Sequence, residues 1–140
     1  PDGPFTVCNW HKERPRETFG CLGFDPAVFV DDDGRVYGYW GFGISHGAEL
    51  DPATMCTVKP GTEVVENMIS GYRQEGIFRF FEASSIRKIE DKYVFIYSRT
   101  TAEGEDGLPH TLIASILWVP GPMAEQSSMP VRASMMKKAM

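Results

Sequence analysis

Short apolar runs closed by polar turns recur along this chain, the pattern of β-strands joined by hairpins. From Asp25 to Trp40 the order is strand, turn, strand. Val28 and Val30 point one way and Phe29 the other, which predicts a strand covered on both faces. Asp31-Asp32-Asp33-Gly34 is the expected hairpin turn, because Asp-Gly favours the positive φ angles that a tight turn needs. Gly41-Phe42-Gly43 opens a loop. Residues 48–58 read as a strand, a Leu50-Asp51-Pro52 turn and a second strand. Residues 61–76 are polar, with a short helix or strand around 64–69. Ile77-Phe78-Arg79-Phe80-Phe81 leads directly into Glu82, and an apolar strand is expected at 111–114 after the Gly- and acid-rich loop 100–109. Residues 115–140 show no alternation and hold five of the seven methionines. They read as a disordered or helical tail, set apart from a strand-rich region 1–114.

Two of these segments look like one unit written twice. Asp25 to Tyr39 and Glu82 to Tyr97 each open on a carboxylate. Each places an apolar residue four positions on (Phe29, Ile86), then a polar turn, then a tyrosine-bearing strand. The two acids are 57 residues apart. A repeat of roughly 40–60 residues with strand signals points to a β-propeller or a similar array. Paired carboxylates at equivalent places in such an array suggest glycoside chemistry. There, one acid protonates the leaving oxygen and a second carboxylate activates water from the opposite face.

Composition narrows the class. The 140 residues and 15.7 kDa fit one small domain, and 42% hydrophobic residues with a mean hydropathy of -0.24 suit a soluble globular chain. A net charge of -5 argues against nucleic acid as the main partner. No run of 18 apolar residues exists, so no membrane partner is expected. Cys8, Cys21 and Cys56 form no C-x-x-C pair and are odd in number, which points to free thiols and a cytoplasmic setting. Asp31-Asp32-Asp33-Gly34 is like the opening of a calcium loop but lacks its ligand spacing and distant closing Glu. No P-loop, dinucleotide fingerprint or Ser-His-Asp set is present, and neither a metal nor another cofactor is expected.

The strongest signal is a resemblance. Its first piece is Phe24-Asp25-Pro26 with Val28-Phe29-Val30-Asp31-Asp32-Asp33-Gly34-Arg35-Val36-Tyr37. Its second is Phe81-Glu82-Ala83-Ser84-Ser85-Ile86-Arg87-Lys88 with Tyr93-Val94-Phe95-Ile96-Tyr97-Ser98. With Gly47-Ala48-Glu49-Leu50-Asp51-Pro52, Met55 and Thr57-Val58-Lys59 between them, they resemble glycoside hydrolase family 43 over about residues 1–114. That family comprises five-bladed β-propellers and includes β-xylosidases and α-L-arabinofuranosidases. The resemblance implies an all-β fold of about two to three blades, corresponding to the second and third, cut short at both ends. It implies a glycosidase that cleaves xylose- or arabinose-containing oligo- or polysaccharides by an inverting acid/base mechanism. By match, Glu82 is the general acid, and Asp25 is the second-blade aspartate that orients it and modulates its pKa. The family's usual Glu-Gly-Pro is here Glu-Ala-Ser. The first-blade aspartate that serves as general base has no counterpart. It is expected before Pro1, which would leave this stretch inactive alone.

Trp40 and Phe42 could stack on a sugar ring and His46 could touch substrate, with core packing or simple solvation the bland alternatives. Glu49 is expected to be structural; Arg73 and Glu75 lie in a loop that could line the pocket, with a surface ion pair the favoured reading. A non-catalytic carbohydrate-binding or assembly module built from the same blades is the alternative function. Uncovered blade edges would favour self-association. For the tail, a reading two bases later yields Leu-Gly-Pro-Trp, similar to Asp2-Gly3-Pro4-Phe5, so residues 115–140 are expected to be out-of-frame translation.

Overall fold

The Asp31–Gly34 turn folds the first apolar run back on itself. The Asp31 N–H donates to the Arg35 carbonyl and the Gly34 N–H to the Asp31 carbonyl, both at 2.9 Å, with Gly34 at φ 82°. This hairpin starts the first of two sheets in a computed structural model that describes residues 3–4, 9–14, 16–17, 19–101, 112–119, 121–123 and 133–134. Strands β1 (Ala27–Val30), β2 (Val36–Trp40), β3 (His46–Leu50) and β4 (Val65–Glu66) form one antiparallel meander in that order. Strands β5 (Phe80–Ile89), β6 (Lys92–Thr100), β7 (Leu112–Val119) and β8 (Ala133–Ser134) form the second. The described residues contain no helix. A four-stranded antiparallel meander is the unit of a propeller blade. Two such sheets do not close a ring.

One face of the first sheet packs on the second. Phe29, Tyr37 and Tyr39 meet Phe80, Ile86, Phe95 and Tyr97, with Met68, Ile69 and Phe78 filling between them. The aromatic residues dominate because each buries a large apolar area, and rings near 6 Å apart gain further from edge-to-face contact. Tyr39 and Phe95 meet in that way, at 6.0 Å and 69°.

The other face carries Val36, Trp40, Ala48 and Leu50, covered by Cys21, Leu22 and Val58. Gly38 permits the close fit there, since a Cβ at that position would lie 2.7 Å from Leu22 Cδ2 and 2.9 Å from Leu50 Cδ1. This strap does not reach β1. Val28 and Val30 are therefore 41% and 51% exposed, against the expectation of a strand covered on both faces.

Three other expectations change. The second strand of 48–58 shrinks to a single bridge between Leu50 and Val58. The cause is Asp51, whose carbonyl accepts the Thr54 and Met55 N–H groups and whose Oδ1 accepts that of Ala53, holding the segment in turns. Only Val65–Glu66 becomes a strand within 64–69. The strand expected at 111–114 continues to Val119. It crosses Ala114–Ser115 without a break and pairs Ser115 with Tyr97 and Val119 with Tyr93. Ile116-Leu117-Trp118-Val119 is apolar without alternation, so a period-two search passes over it. Beyond it Tyr39 Oη donates to the Pro122 carbonyl at 2.7 Å, and Met123 packs on the shared core. Most of the remaining tail lies outside the described residues.

Candidate active site

Strand β1 packs against β5. At the far end Lys88 Nζ donates to Asp31 Oδ1 at 3.0 Å, a pair separated by 57 residues. Tyr93 Oη donates to Asp31 Oδ2 at 2.5 Å. At the near end Phe24 and Phe81, at the same offset, are joined through one loop. The Gly41 N–H donates to the Phe24 carbonyl at 2.9 Å and the Gly43 N–H to the Phe81 carbonyl at 2.7 Å. Asp25 and Glu82 are the next residues after these two anchors. The two sequence-predicted acids thus each follow a residue bonded to the same loop.

Each acid sits on irregular backbone. Asp25 has φ 48°, a left-handed conformation that aspartate tolerates better than most residues, and it is exposed. Glu82 is half-buried within β5, where the pairing with β6 shifts between Phe80 and Glu82 and again before Ser85. A bulge of this kind re-aims a side chain out of the regular pleat. Ala83, in the position where family 43 usually carries glycine, has φ 56°.

Aromatic rings cluster at the residues that precede the acids. Phe42 meets Phe24 at 5.4 Å and Phe81 at 4.9 Å, both edge-to-face, and Tyr72 meets Phe81 at 5.3 Å. Phe24 and Phe42 remain 54% and 53% exposed, so this aromatic rim is accessible. Trp40 does not join it. Its ring is buried, stacked on His46 at 5.5 Å and 3°. His46 Nε2 stands 3.7 Å from Glu66 Oε1, and its buried Nδ1 has no hydrogen-bond partner among the described residues. Arg73 lies over the Tyr72 ring, 5.1 Å from its centroid. Phe24, Phe81 and Tyr72 were not singled out from the sequence. The signal for the first two is there, a Phe before each acid; Tyr72 leaves none.

The other buried charges hold the scaffold. Glu49 accepts from Arg35 Nε at 3.0 Å, from Arg35 Nη2 at 2.7 Å and from Lys59 Nζ at 2.6 Å. Those bonds hold its carboxyl down at about 2. Burial acts to raise Asp31, but hydrogen bonds from Tyr93, the Asp32 N–H and Lys88 outweigh it and leave it below the ordinary carboxylate range. Bonds to Asp32 and Asp31 push Lys88 above its usual value. Among the described residues no three His, Cys, Asp or Glu side chains converge to hold a metal ion.

Over 105 residues, 69% of this chain, the sequence is 36% identical to an arabinoxylan arabinofuranohydrolase of Paenibacillus polymyxa. Over 80 residues it is 35% identical to an arabinoxylan arabinofuranohydrolase of Bacillus subtilis (strain 168). The chain is thus similar to arabinoxylan arabinofuranohydrolases. No protein-family model matches it. The segment spans 16% and 15% of the length of these two relatives. Among solved structures it superposes on an α-L-arabinofuranosidase from Clostridium thermocellum with a TM-score of 0.48 and 20% identity, covering 78% of this chain and 30% of that one. On a second structure, described as a glycoside hydrolase, the TM-score is 0.46 and the identity 26%, covering 81% of this chain and 23% of that one.

Proposed function

We propose that this segment contributes two carboxylates to the active site of an arabinofuranoside-cleaving glycoside hydrolase, Glu82 as general acid and Asp25 as the residue that orients and tunes it. The observation that carries this reading is the shared offset. Asp31 bonds to Lys88 57 residues away, and the residues before Asp25 and Glu82 bond to one loop. The relatives' names support the substrate class, a xylan bearing arabinofuranosyl side groups.

In this reading Glu82 gives its proton to the glycosidic oxygen as the bond to the anomeric carbon breaks. The glycan leaves as an alcohol. Water attacks the anomeric carbon from the opposite face and passes its proton to a general base, about 6.5–9.5 Å from the acid in an inverting site. The base is a third carboxylate that neither strand start supplies, so the 140-residue chain alone is expected to release no measurable arabinose. The open face of Phe24 suits the C–H face of a sugar ring.

The test is arabinose release from arabinoxylan by the protein that carries these residues, with the product anomer followed by proton NMR. Inverted arabinose should appear first, and Glu82→Gln should slow release by roughly 10²–10⁴-fold, the usual worth of general acid catalysis. Wild-type rates in Glu82→Gln would overturn the assignment. Saturable arabinoxylan binding without hydrolysis, surviving Glu82→Gln and Asp25→Asn together, would favour a carbohydrate-binding module instead.

A further inference from the structure

Neither acid sits in a regular stretch of ladder. Asp25 lies two residues ahead of β1, outside its ladder with β2, on left-handed backbone. Glu82 pairs with Ser98, but the β5–β6 register shifts on either side of that pair. The two ladders belong to different sheets and do not fix the two acids relative to each other, and the loop over residues 41–43 is placed to do it. Its two N–H groups bond to Phe24 and Phe81, and the Phe42 ring is wedged between the rings of those same residues. The loop has little room to slide. A Cβ on Gly41 would lie 1.9 Å from the Ile44 carbonyl oxygen, and one on Gly71 would lie 2.1 Å from that of Gly43. Phe42 is over half exposed, more than a residue kept for core packing would be.

We propose that Phe42 is a positioning residue, a wedge that fixes the spacing of Asp25 and Glu82 so that the Glu82 proton meets the glycosidic oxygen. The proposal rests on the assignment of Glu82 as general acid. It differs from a sugar-stacking role for Phe42, because a wedge acts through the acid and a stacking surface acts through substrate affinity.

Leaving groups separate these roles. A poor leaving group such as a xylan hydroxyl needs the acid's proton, whereas dinitrophenolate departs with little help. In the protein that carries these residues, the measurement is kcat and KM on arabinoxylan oligosaccharides and on a dinitrophenyl arabinofuranoside. Wild type is compared with Phe42→Ala, Phe42→Tyr and Glu82→Gln. The wedge predicts that Phe42→Ala lowers kcat at least about 10-fold on the oligosaccharide and less than about 3-fold on the activated substrate, with KM little changed. Phe42→Tyr, which keeps the ring, should restore the oligosaccharide rate to within about 3-fold of wild type. Equal losses on both substrates, or a loss confined to KM, would overturn the wedge and leave Phe42 a stacking surface. Should Glu82→Gln itself lose equally on both substrates, the assignment of the general acid fails, and the wedge with it. A thermal melt of Phe42→Ala checks folding. If it unfolds early, Phe42→Leu takes its place under the same criteria.

Discussion

At the scale of single residues, the site carries backbone that its side chains do not favour. Ala83 has φ 56°, a region costing about 1–2 kcal/mol for a residue with a Cβ. Glycine reaches that region freely but loses more entropy on folding, so Ala83→Gly should stabilise by about 0.5–1 kcal/mol net. Urea unfolding measures it; a loss of stability would mean the bulge is not strained there. Tyr39→Phe should cost about 1 kcal/mol, the worth of its bond to the Pro122 carbonyl, while leaving the ring packing intact. The sequence marked the departure at Ala83, because Glu-Ala-Ser stands where glycine is usual. It did not mark Tyr39, since its partner is 83 residues away.

Among the elements, the hairpins were legible and their ends were not. Asp31–Gly34 announced the β1–β2 turn by chemistry alone. The burial of β1 does not follow from its pattern, because alternation shows which side chains share a face, not whether another segment covers that face. Val28 and Val30 stay open because the strap of Cys21 and Leu22 stops at β2. Glu49 was correctly read as structural, though its partners Arg35 and Lys59 follow only from the pairing of β2 with β3 and the turn after it. Its folded pKa of about 2 lies below the ordinary 4.5, so its contribution is complete above about pH 5 and fades as pH falls toward 2. Asp31 is also lowered and acts in the same direction. Acid titration of stability should therefore show a steep loss below about pH 5, shallower in Glu49→Gln. An identical slope in that variant would remove Glu49 from the account.

For the whole molecule, the two sheets share one core. Phe95 touches Tyr39 of the first sheet and Tyr97 of the second, so Phe95→Ala should cost about 3–5 kcal/mol and weaken both sheets in one transition. Two separate transitions would mean that the sheets fold independently. The 57-residue spacing was legible in the sequence as a repeat, but the Asp31–Lys88 bond and the loop that holds both Phe24 and Phe81 were not, because they follow only from the packing of the two sheets.

The most direct measurement of the proposed pairing of Asp25 with Glu82 is a double-mutant cycle on arabinose release by the protein that carries these residues. If Asp25 acts through Glu82, Asp25→Asn should slow the reaction in wild type but add little once Glu82 is glutamine, so the double variant should match Glu82→Gln within about 3-fold. Losses that simply multiply, or an Asp25→Asn variant as fast as wild type, would contradict the pairing of the two acids.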